Sequence, residues 1–389
     1  MMRRSHYPAM NNTSSLPRGL VAALAAALAG TAALPAQAYD QTISGFGSVV
    51  AGKTFGGCQT ADMATKYDSF CTRFIADYAH DGVYTPSVSA TPESRLGLQW
   101  TGNFTSSLSA TVQGMARLTD GQKADLEWAY LTDKINSSWT IQVGRKRLPL
   151  YYYSDFQDVG YAYTMIRPSS DVYGWDVVNY DGANVDYSTD LGDWSLRASV
   201  YGGAENSRKN KFAQTEYDSP VDVKWKDIAG GSVEISRDWF TARLTYTQSK
   251  FQEVDHDSGQ PMPLATGANT GTQNFYGLAL IADYDDWVGR AELAGANRRG
   301  EGEDLHYFYV NAGRRFGKFT PMLQFSEDHE TTTVAPIYRW VNRTASVAVR
   351  YEVNKSSDLK LQVDRDMESR GAPFTGSANV VSMSYDFVF

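Results

Sequence analysis

The sequence lacks an apolar run long enough to form a transmembrane helix. A helix that spans a bilayer needs about 20 consecutive apolar residues, and the longest apolar run, residues 20–34, is shorter. That run follows three arginines and precedes an Ala-x-Ala site at residues 36–38. A basic start, a short apolar segment and a small-residue cleavage site predict a secretory signal peptide over residues 1–38, with translation starting at Met1 or Met10.

Cysteine is also scarce, since only two are present in 389 residues. Cys58 and Cys71 lie in a stretch rich in glycine, aspartate and threonine, without the neighbouring histidines that would complete a metal site. Export through an oxidising compartment therefore predicts a disulfide between them. No metal or other cofactor is expected. The sequence also lacks a glycine-rich phosphate loop and a basic stripe for nucleic acid, so no nucleic-acid partner is expected.

Histidine is too rare and too poorly placed to indicate catalysis. After residue 38 there are four, and two of them, His256 and His329, lie between acidic residues that could be read as acid–base partners. Both fall in segments predicted as loops, among unrelated acids, and no Gly-x-Ser-x-Gly motif is present. Solvated loop charges explain them better, so no catalytic residue is assigned and the protein is not expected to be an enzyme.

What the sequence does contain favours β-structure. Residues 39–389, which we expect to form a single domain, are rich in glycine, tyrosine, tryptophan, threonine and serine. Such a composition fits a soluble secreted β protein, or a membrane barrel whose lipid-facing residues are diluted by a polar lumen. The two classes differ in the pattern of strands and loops rather than in composition.

The last ten residues, 380–389, alternate in the way that a strand between lipid and water requires. Every odd-numbered position from 381 to 389 is apolar or aromatic, and Ser382, Ser384 and Asp386 lie between them. Side chains of successive strand residues point to opposite faces, so one face is apolar and the other polar. A half-buried strand of a soluble sheet has the same alternation, so this segment alone does not separate the two classes.

Sixteen such segments can be counted, and the lengths of their connections alternate. Short Gly/Asn/Asp turns follow the even-numbered segments, and every long loop follows an odd-numbered one. The longest predicted loops are residues 52–93, 147–179, 203–226 and 252–271. Tight turns at one end and long loops at the other are typical of a transmembrane barrel with periplasmic turns and extracellular loops. A soluble sandwich has no reason to keep that order.

Aromatic residues mark one end of the predicted barrel, and three details fit it less well. Trp139, Trp194, Trp239, Trp287 and Phe319 each begin a strand after a short turn, which predicts an aromatic girdle at the periplasmic interface. The apolar face of the strand at residues 123–132 is predicted to comprise Leu126, Trp128 and Tyr130. The misfits are a strand that is apolar on both faces (273–284), a proline within a strand (Pro321) and a lipid-facing arginine (Arg343).

This pattern resembles the sixteen-stranded general porins of Gram-negative bacteria. The likeness depends on the terminal residues 385–389, the order of the loops and the position of one long loop after the fifth strand. It implies an all-β, sixteen-stranded antiparallel transmembrane β-barrel in the outer membrane, surrounded by lipid and assembled as a homotrimer. It also implies that the loop after the fifth strand, residues 147–179, folds into the barrel and narrows it. An extracellular loop packed against other loops is the alternative.

Charged residues predict what lines such a constriction. Aromatic residues of the loop can anchor it on the wall and leave its four acids, Asp155, Asp158, Asp171 and Asp176, toward water. Basic and acidic residues in the polar phase of their strands, or near a rim, are Arg117, Glu127, Lys146, Arg197, Arg243 and Arg290. A basic wall opposite an acidic loop gives a transverse field across a water-filled lumen. Each arginine taken singly fits a structural salt bridge equally well.

The function predicted is a porin that passes small hydrophilic solutes and ions by diffusion. A substrate-selective channel, for instance one in which loop tyrosines stack on sugars, is the first alternative. A barrel enzyme or an adhesin is the second. The ion preference is open, because the chain carries a net charge of −8 whereas the predicted lumen residues are rich in arginine.

Overall fold

The structure confirms the predicted all-β barrel. The computed structural model describes residues 40–56, 73–121, 124–217, 219–335, 337, 339–370 and 375–389. Within these ranges, sixteen strands form one closed antiparallel barrel in which neighbours in sequence pair and the last strand pairs with the first. The predicted signal peptide and the predicted Cys58–Cys71 disulfide lie outside the described residues.

The barrel strands are long, and a small hairpin is added to the first long connection. The strands are β1 (Asp40–Phe55), β2 (Phe74–Asp77), β3 (Gly82–Tyr84), β4 (Arg95–Asn103), β5 (Leu108–Arg117), β6 (Ala124–Lys134), β7 (Trp139–Arg147), β8 (Asn179–Leu191), β9 (Trp194–Ser207), β10 (Val221–Arg237), β11 (Phe240–Asp255), β12 (Gly271–Tyr284), β13 (Trp287–Arg298), β14 (Glu303–Arg314), β15 (Phe319–Thr332), β16 (Arg339–Asn354), β17 (Ser357–Arg370) and β18 (Thr375–Val388). Strands β2 and β3 form the separate hairpin. One short helix, α1 (Lys211–Tyr217), lies between β9 and β10. Among the described residues, no helix is both long and apolar enough to cross a membrane.

The two ends of the barrel differ in the length of their connections, as predicted. Tight turns such as residues 192–193, 238–239 and 285–286 lie at the end where β1 starts and β18 finishes. The opposite end carries the long connections, including residues 148–178 and 256–270. The chain reverses direction at each connection between antiparallel strands. With an even number of strands it therefore finishes at the end of the barrel where it began.

The outer surface is apolar and the inner surface polar. In β18, Met383 and Tyr385 are exposed on the outside, whereas Ser382, Ser384 and Asp386 are buried inside. Exposed leucine, valine, isoleucine and aromatic side chains continue this exterior around the other strands. An apolar outer belt on a closed sheet is suited to lipid, because every backbone hydrogen bond of the wall is made between strands.

The predicted girdle lies at the end with the tight turns. Trp139, Trp239, Trp287 and Phe319 have 45–57% of their surface exposed. Trp194 is half-buried because its ring packs edge-on against Phe240, with 6.4 Å between the centroids. Amphipathic rings at this level sit at the boundary between lipid and water.

One predicted strand face is wrong because of a β-bulge in β6. Gln113 of β5 pairs with Trp128, but the next residue of β5 pairs with Leu126, so Glu127 is an extra residue. A bulge reverses the phase of the residues beyond it. Leu126 therefore points outward as predicted, whereas Trp128 and Tyr130 point into the lumen.

The three predicted misfits have local explanations. Pro321 pairs with Val349 of β16 but lies beyond the last residue pair between β14 and β15, so its missing N–H costs no ladder bond on that side. On the outer face, Arg343 donates from Nε to Glu327 Oε2 at 2.7 Å, which neutralises its charge. Strand β12 is apolar on its inner face as well because it packs against the loop described next.

Candidate functional site: the loop inside the barrel

Residues 148–178, which we call the lumen loop, connect the fifth barrel strand, β7, to β8. The two ends of the loop lie side by side, because Leu148 N donates to Val178 O at 2.9 Å. Its middle bonds to the far wall of the barrel: Gly160 O accepts from Lys360 Nζ of β17 at 2.6 Å. The loop therefore crosses the lumen, as predicted for residues 147–179; the outermost of these, Arg147 and Asn179, pair as the ends of β7 and β8.

A cluster of arginines holds the near side of the loop. Asp158 accepts from Arg117 Nη2 at 3.0 Å and from Arg147, and lies 3.5 Å from Arg95 Nη1. Glu127, the bulge residue of β6, lies 2.6 Å from Arg117 and 3.3 Å from Arg147. Two buried carboxylates thus share three guanidinium groups, and charge-assisted bonds of this kind are stronger than neutral ones.

A buried arginine joins the far side of the loop to the wall and to the first long connection. Arg167 Nε and Nη2 donate to the two oxygens of Glu93 at 2.8 and 2.6 Å, and Nη1 donates to Asp364 at 2.6 Å. Nη2 also donates to Ser382 Oγ at 2.7 Å. Burial alone would lower the pKa of Arg167, but the carboxylates of Glu93 and Asp364 raise it above its ordinary value.

A lysine of β17 anchors the turn at the middle of the loop. Besides Gly160 O, Lys360 Nζ contacts Asp386 at 3.1 Å and Asp358 at 3.8 Å, and it lies over the ring of Tyr163 at 5.0 Å from the centroid. Lys360 is fully buried. A buried ammonium is stable only with such partners, so the turn is fixed at this place on the wall.

Asp171 docks on β15 and β16, and its partners among the described residues are uncharged. It accepts from Ser326 Oγ at 2.6 Å, Asn342 Nδ2 at 3.0 Å and Thr344 Oγ1 at 3.0 Å. Burial raises the pKa of Asp171 to about 6, although the hydrogen bonds from Ser326 and Thr344 oppose the shift. This contact therefore changes its charge near neutral pH.

Asp176 lies at the end of the loop, close to β13. Its Oδ2 is 3.8 Å from Arg298 Nη2. Burial raises the pKa of Asp176, and the charge of Arg298 opposes that shift. This carboxylate is buried against the wall rather than exposed to the lumen.

Aromatic side chains fill the space between the loop and β12–β14. The ring of Tyr151 packs against Phe275 of β12 at 5.2 Å, and Trp175 lies 6.1 Å from the same ring. Glu292 of β13 accepts from Tyr152 N at 3.0 Å and from Tyr309 Oη at 2.8 Å. The loop is thus held by a packed apolar cluster as well as by charges.

Part of the wall stays uncovered, and its charged groups are mostly basic. Arg197 of β9 is exposed and makes no ion pair with any residue in the described ranges. Arg243 of β11 donates to Pro149 O at 3.2 Å, and the guanidinium of Arg290 lies 5.3 Å from the centroid of the Tyr153 ring. These groups face the start of the loop.

The remaining predicted wall residue is Lys146 of β7, on the same side of the lumen. Its Nζ donates to Asn184 Oδ1 at 2.8 Å and to Gln142 Oε1. Asp155 of the loop is exposed, in contrast to the other three acids of the loop. The structure therefore places Lys146, Arg197, Arg243, Arg290 and Asp155 around open space, and Arg117, Glu127, Asp158, Asp171 and Asp176 in buried contacts that position the loop.

A cleft of about 270 Å³ lies between the loop and the wall near the barrel seam. Its lining includes Gln99, Gln113 and Trp128 from the wall and Asp155 and Phe156 from the loop. The inward turn of Trp128, which follows from the bulge at Glu127, forms part of this lining. Asp155, the exposed acid of the loop, is thus one of the residues that line the cleft.

The histidines are engaged in local contacts. His256 Nδ1 lies 2.7 Å from Asp222 Oδ1, and His329 Nε2 accepts from Arg339 Nε at 2.6 Å. No group of three or more histidine, cysteine or acidic side chains that could hold a metal ion occurs in the part of the chain that the structure describes.

Sequence reasoning missed the residues that hold the loop on the far wall. Arg167, Glu93, Lys360 and Asp364 are all buried in ion pairs, and none was singled out. A signal for two of them was present in the sequence. Lys360 and Asp364 carry opposite charges on the polar face of β17, and such charges can bind a segment that crosses the lumen. The apolar inner face of β12 was a second signal.

No family model and no curated protein sequence matches the chain, but solved structures do. The outer membrane channel DcaP of Acinetobacter baumannii aligns with a TM-score of 0.58 at 12% identity, over 92% of this chain and 99% of that one. The anion-selective porin of Comamonas acidovorans aligns at 0.55 and 14% identity, over 90% and 100%. OmpT of Vibrio cholerae, in its trimer form, aligns at 0.52 and 11%, over 90% and 99%.

These likenesses extend over nearly the whole length of each protein, and they concern the fold. They agree with the architecture described above, a closed antiparallel barrel with an apolar exterior. The chain therefore shares its fold with these outer-membrane proteins, and its exterior is suited to lipid.

Proposed function

We propose that the chain is an outer-membrane porin, a water-filled channel through which small hydrophilic solutes and ions diffuse passively. The observation that carries this proposal is the row of Arg197, Arg243 and Arg290 inside a closed barrel, in which Arg197 is exposed and the other two are half-buried. Guanidinium groups without carboxylate partners are stable inside a protein only where water reaches them. The lumen loop then narrows the channel without closing it.

In this proposal the constriction has two kinds of residues. Those that meet the solute are Lys146, Asp155, Arg197, Arg243 and Arg290. Those that set the position of the loop are Arg117, Glu127, Asp158, Asp171 and Asp176. The division follows burial: the first set is exposed or half-buried, and the second is buried in polar contacts.

The test is conductance in a planar lipid bilayer after refolding of residues 39–389 in detergent. We expect stepwise insertion events with a current proportional to voltage. The same preparation denatured by heat serves as the control. Protein that inserts into the bilayer without any stable conductance contradicts the proposal and favours a barrel enzyme or an adhesin.

A substrate-selective channel is the alternative, and the position of the tyrosines does not favour it. A sugar needs exposed rings on which to stack, but Tyr151, Tyr153, Tyr163 and Tyr173 of the loop are buried. The other two tyrosines of the loop, Tyr152 and Tyr161, are half-buried, and Tyr161 Oη donates to Lys355 O at 2.9 Å. Saturable block of the current by sucrose or by maltose would favour the alternative, whereas current unaffected by both supports free diffusion.

We further propose that three copies assemble in the membrane. One of the solved structures of the same fold is described as a trimer form, which supports this proposal. The mass of the detergent-solubilised protein, measured by light scattering with the detergent subtracted, tests this. A mass of one chain contradicts it and leaves the channel proposal intact.

A further inference from the structure

Three of the four acidic side chains of the lumen loop are buried in contacts with the wall. Asp158 is surrounded by three arginines, and Asp176 lies beside Arg298. Asp171 is bonded to three uncharged donors. Asp155 is the remaining acid of the loop and the exposed one. The loop therefore offers a passing solute little negative charge.

The basic groups of the uncovered wall have partners that leave their charge uncompensated. Lys146 donates to side-chain amide oxygens, and Arg243 donates to a backbone carbonyl. Arg290 lies over a tyrosine ring, and Arg197 has no ion-pair partner within the described ranges. A carbonyl or a ring orients a cation but carries no net charge, so all four keep a full positive charge toward the lumen.

Acids of the same wall are fewer or are shielded. Glu292 is fully buried behind Tyr152, Tyr173 and Tyr309. Glu234 of β10 lies opposite Arg197 on one neighbouring strand and opposite Arg243 on the other, as the register of the sheet shows. Asp186 accepts from Asn184 at 2.5 Å. Asp190 of β8 and Lys134 of β6 are exposed in the same inward phase. Five basic groups, Lys134, Lys146, Arg197, Arg243 and Arg290, thus face four acids, Asp155, Asp186, Asp190 and Glu234, which leaves an excess of one positive charge.

The basic groups form a row. Arg197 and Arg243 lie at the same height, one strand to either side of Glu234. Adjacent strands are separated by roughly 4.8 Å, so the two arginines are about 10 Å apart at the backbone. Arg290 lies two strands further, one inward-facing position nearer the tight turns, because Arg243 is level with Ala279 and Ala279 with Glu292.

We infer that the channel is selective for anions, and that Arg197, Arg243 and Arg290 form the row along which an anion passes; this rests on the proposed function. Guanidinium groups bind carboxylate and phosphate in a planar, two-bonded geometry, so small hydrophilic carboxylates and phosphates are the preferred class of solute. The whole chain carries a net charge of −8, which alone would favour cations. The electric field inside a narrow, low-dielectric passage is set by the groups that line it, so the lining arginines determine the preference.

The test is the reversal potential of the refolded channel in a gradient of potassium chloride. We expect chloride to be about two- to threefold more permeant than potassium, since an excess of one charge within a Debye length has an effect of this size. In the double variant Arg197→Gln/Arg243→Gln the permeability ratio should fall at least about threefold toward potassium. Arg197→Lys/Arg243→Lys keeps the charge and is expected to keep the anion preference.

The matched control removes two positive charges elsewhere. Arg208 and Lys226 are exposed and lie toward the long-loop end, outside the aperture, so Arg208→Gln/Lys226→Gln is expected to leave the reversal potential unchanged. A wild-type potential of the cation-selective sign overturns the inference while the proposed function stands. Equal shifts in the two glutamine variants overturn the assigned row. Absence of conductance overturns the proposed function itself.

Discussion

At the scale of single residues, buried charge decides where the lumen loop lies. Arg167 has lost its hydration and has replaced it with two carboxylates and a hydroxyl. Breaking a buried ion pair by removing one partner is costly because the other charge stays buried. These contacts therefore act mainly by excluding every other position of the loop.

Arg167→Met tests this directly. The methionine fills much of the same space but leaves Glu93 and Asp364 without their cation. We expect the free energy of unfolding to fall by about 3–5 kcal/mol, and single-channel conductance to rise or to fluctuate as the loop leaves the wall. Urea unfolding in detergent micelles, followed by tryptophan fluorescence, measures the first effect.

Arg208→Met is the control, because Arg208 is exposed in the connection after β9. It is expected to change the free energy of unfolding by less than about 0.5 kcal/mol. Arg167→Lys keeps the charge but loses the forked geometry, and we expect an intermediate loss; it also serves if Arg167→Met does not refold. If Arg167→Met and Arg208→Met are equally stable, the ion pairs of Arg167 do not hold the loop.

The charge of Asp171 predicts a dependence on pH. Its pKa is raised from 3.8 to about 6 in the folded protein, so the folded state binds the proton more tightly than the unfolded state does. The stabilising contribution is complete below pH 3.8 and is lost as the pH rises through 6, with a total of about 3 kcal/mol. Asp171→Asn removes it.

We therefore expect Asp171→Asn to be more stable than the wild type at pH 8 and nearly equal to it at pH 4. The measurement is the difference between their free energies of unfolding across this range, in which titrating groups that do not interact with Asp171 cancel. A difference that is the same at both pH values contradicts the assignment of the raised pKa to Asp171.

At the scale of elements, the sequence predicts the strands better than it predicts their inner faces. Outward positions follow one rule, because lipid accepts only apolar side chains over the whole exterior. Inward side chains contact water in one part of the barrel and the lumen loop in another, so they follow no single rule. Strand β12 illustrates this: its inner residue Phe275 is apolar because Tyr151 and Trp175 pack on it, so period-two alternation disappears there.

The bulge in β6 shows a second limit. No residue between Ala124 and Lys134 has a property that requires an extra position, and the pairing with β5 alone makes Glu127 unpaired. Glu127 is drawn inward by Arg117 and Arg147, which are distant in sequence. The phase of Trp128 and Tyr130 therefore depends on tertiary contacts that alternation cannot reveal.

The position of the loop turn at Gly160 gives a prediction for this element. A Cβ atom at Gly160 would lie 2.2 Å from Asp386 Oδ1 and 2.6 Å from Ser48 Oγ, and Asp386 is held by Lys360 and Ser384. We expect Gly160→Ala to move the turn from the wall and to lower the free energy of unfolding by about 1–3 kcal/mol.

Gly114→Ala is the matched control, because the nearest atom to its Cβ would be 3.8 Å away. Both variants are compared by thermal unfolding in micelles and by single-channel conductance. If Gly160→Ala is as stable as Gly114→Ala and conducts like the wild type, the turn does not rest on Asp386 as the structure indicates.

At the scale of the whole molecule, the order of short and long connections was the most informative feature of the sequence. It requires no knowledge of side-chain contacts, since it follows from strand number and direction alone. The contacts between Arg167 and the wall could not be predicted in the same way, because they join residues up to 215 positions apart.

The aromatic girdle predicts the depth of the barrel in a bilayer. Trp139, Trp239 and Trp287 are exposed at the end with the tight turns, so we expect their fluorescence to be quenched more by lipids brominated near the headgroup than by lipids brominated near the chain end. Replacing all three with phenylalanine is expected to reduce the quenching, because Trp175 and Trp225 are buried and only the half-buried Trp100 and Trp194 remain on the outer face. Stronger quenching by the deep label would contradict the predicted orientation.

The docking sites of the middle of the lumen loop lie on the last two strands of the barrel. Gly160 and Arg167 find their partners on β17 and β18, and β18 is also the strand that joins β1. Until those strands join the sheet, Gly160 and Arg167 lack their partners on them, although Asp158 can already meet Arg117 and Arg147, and the sheet has two free edges. We therefore expect closure of the barrel and attachment of the loop to its far wall to occur together.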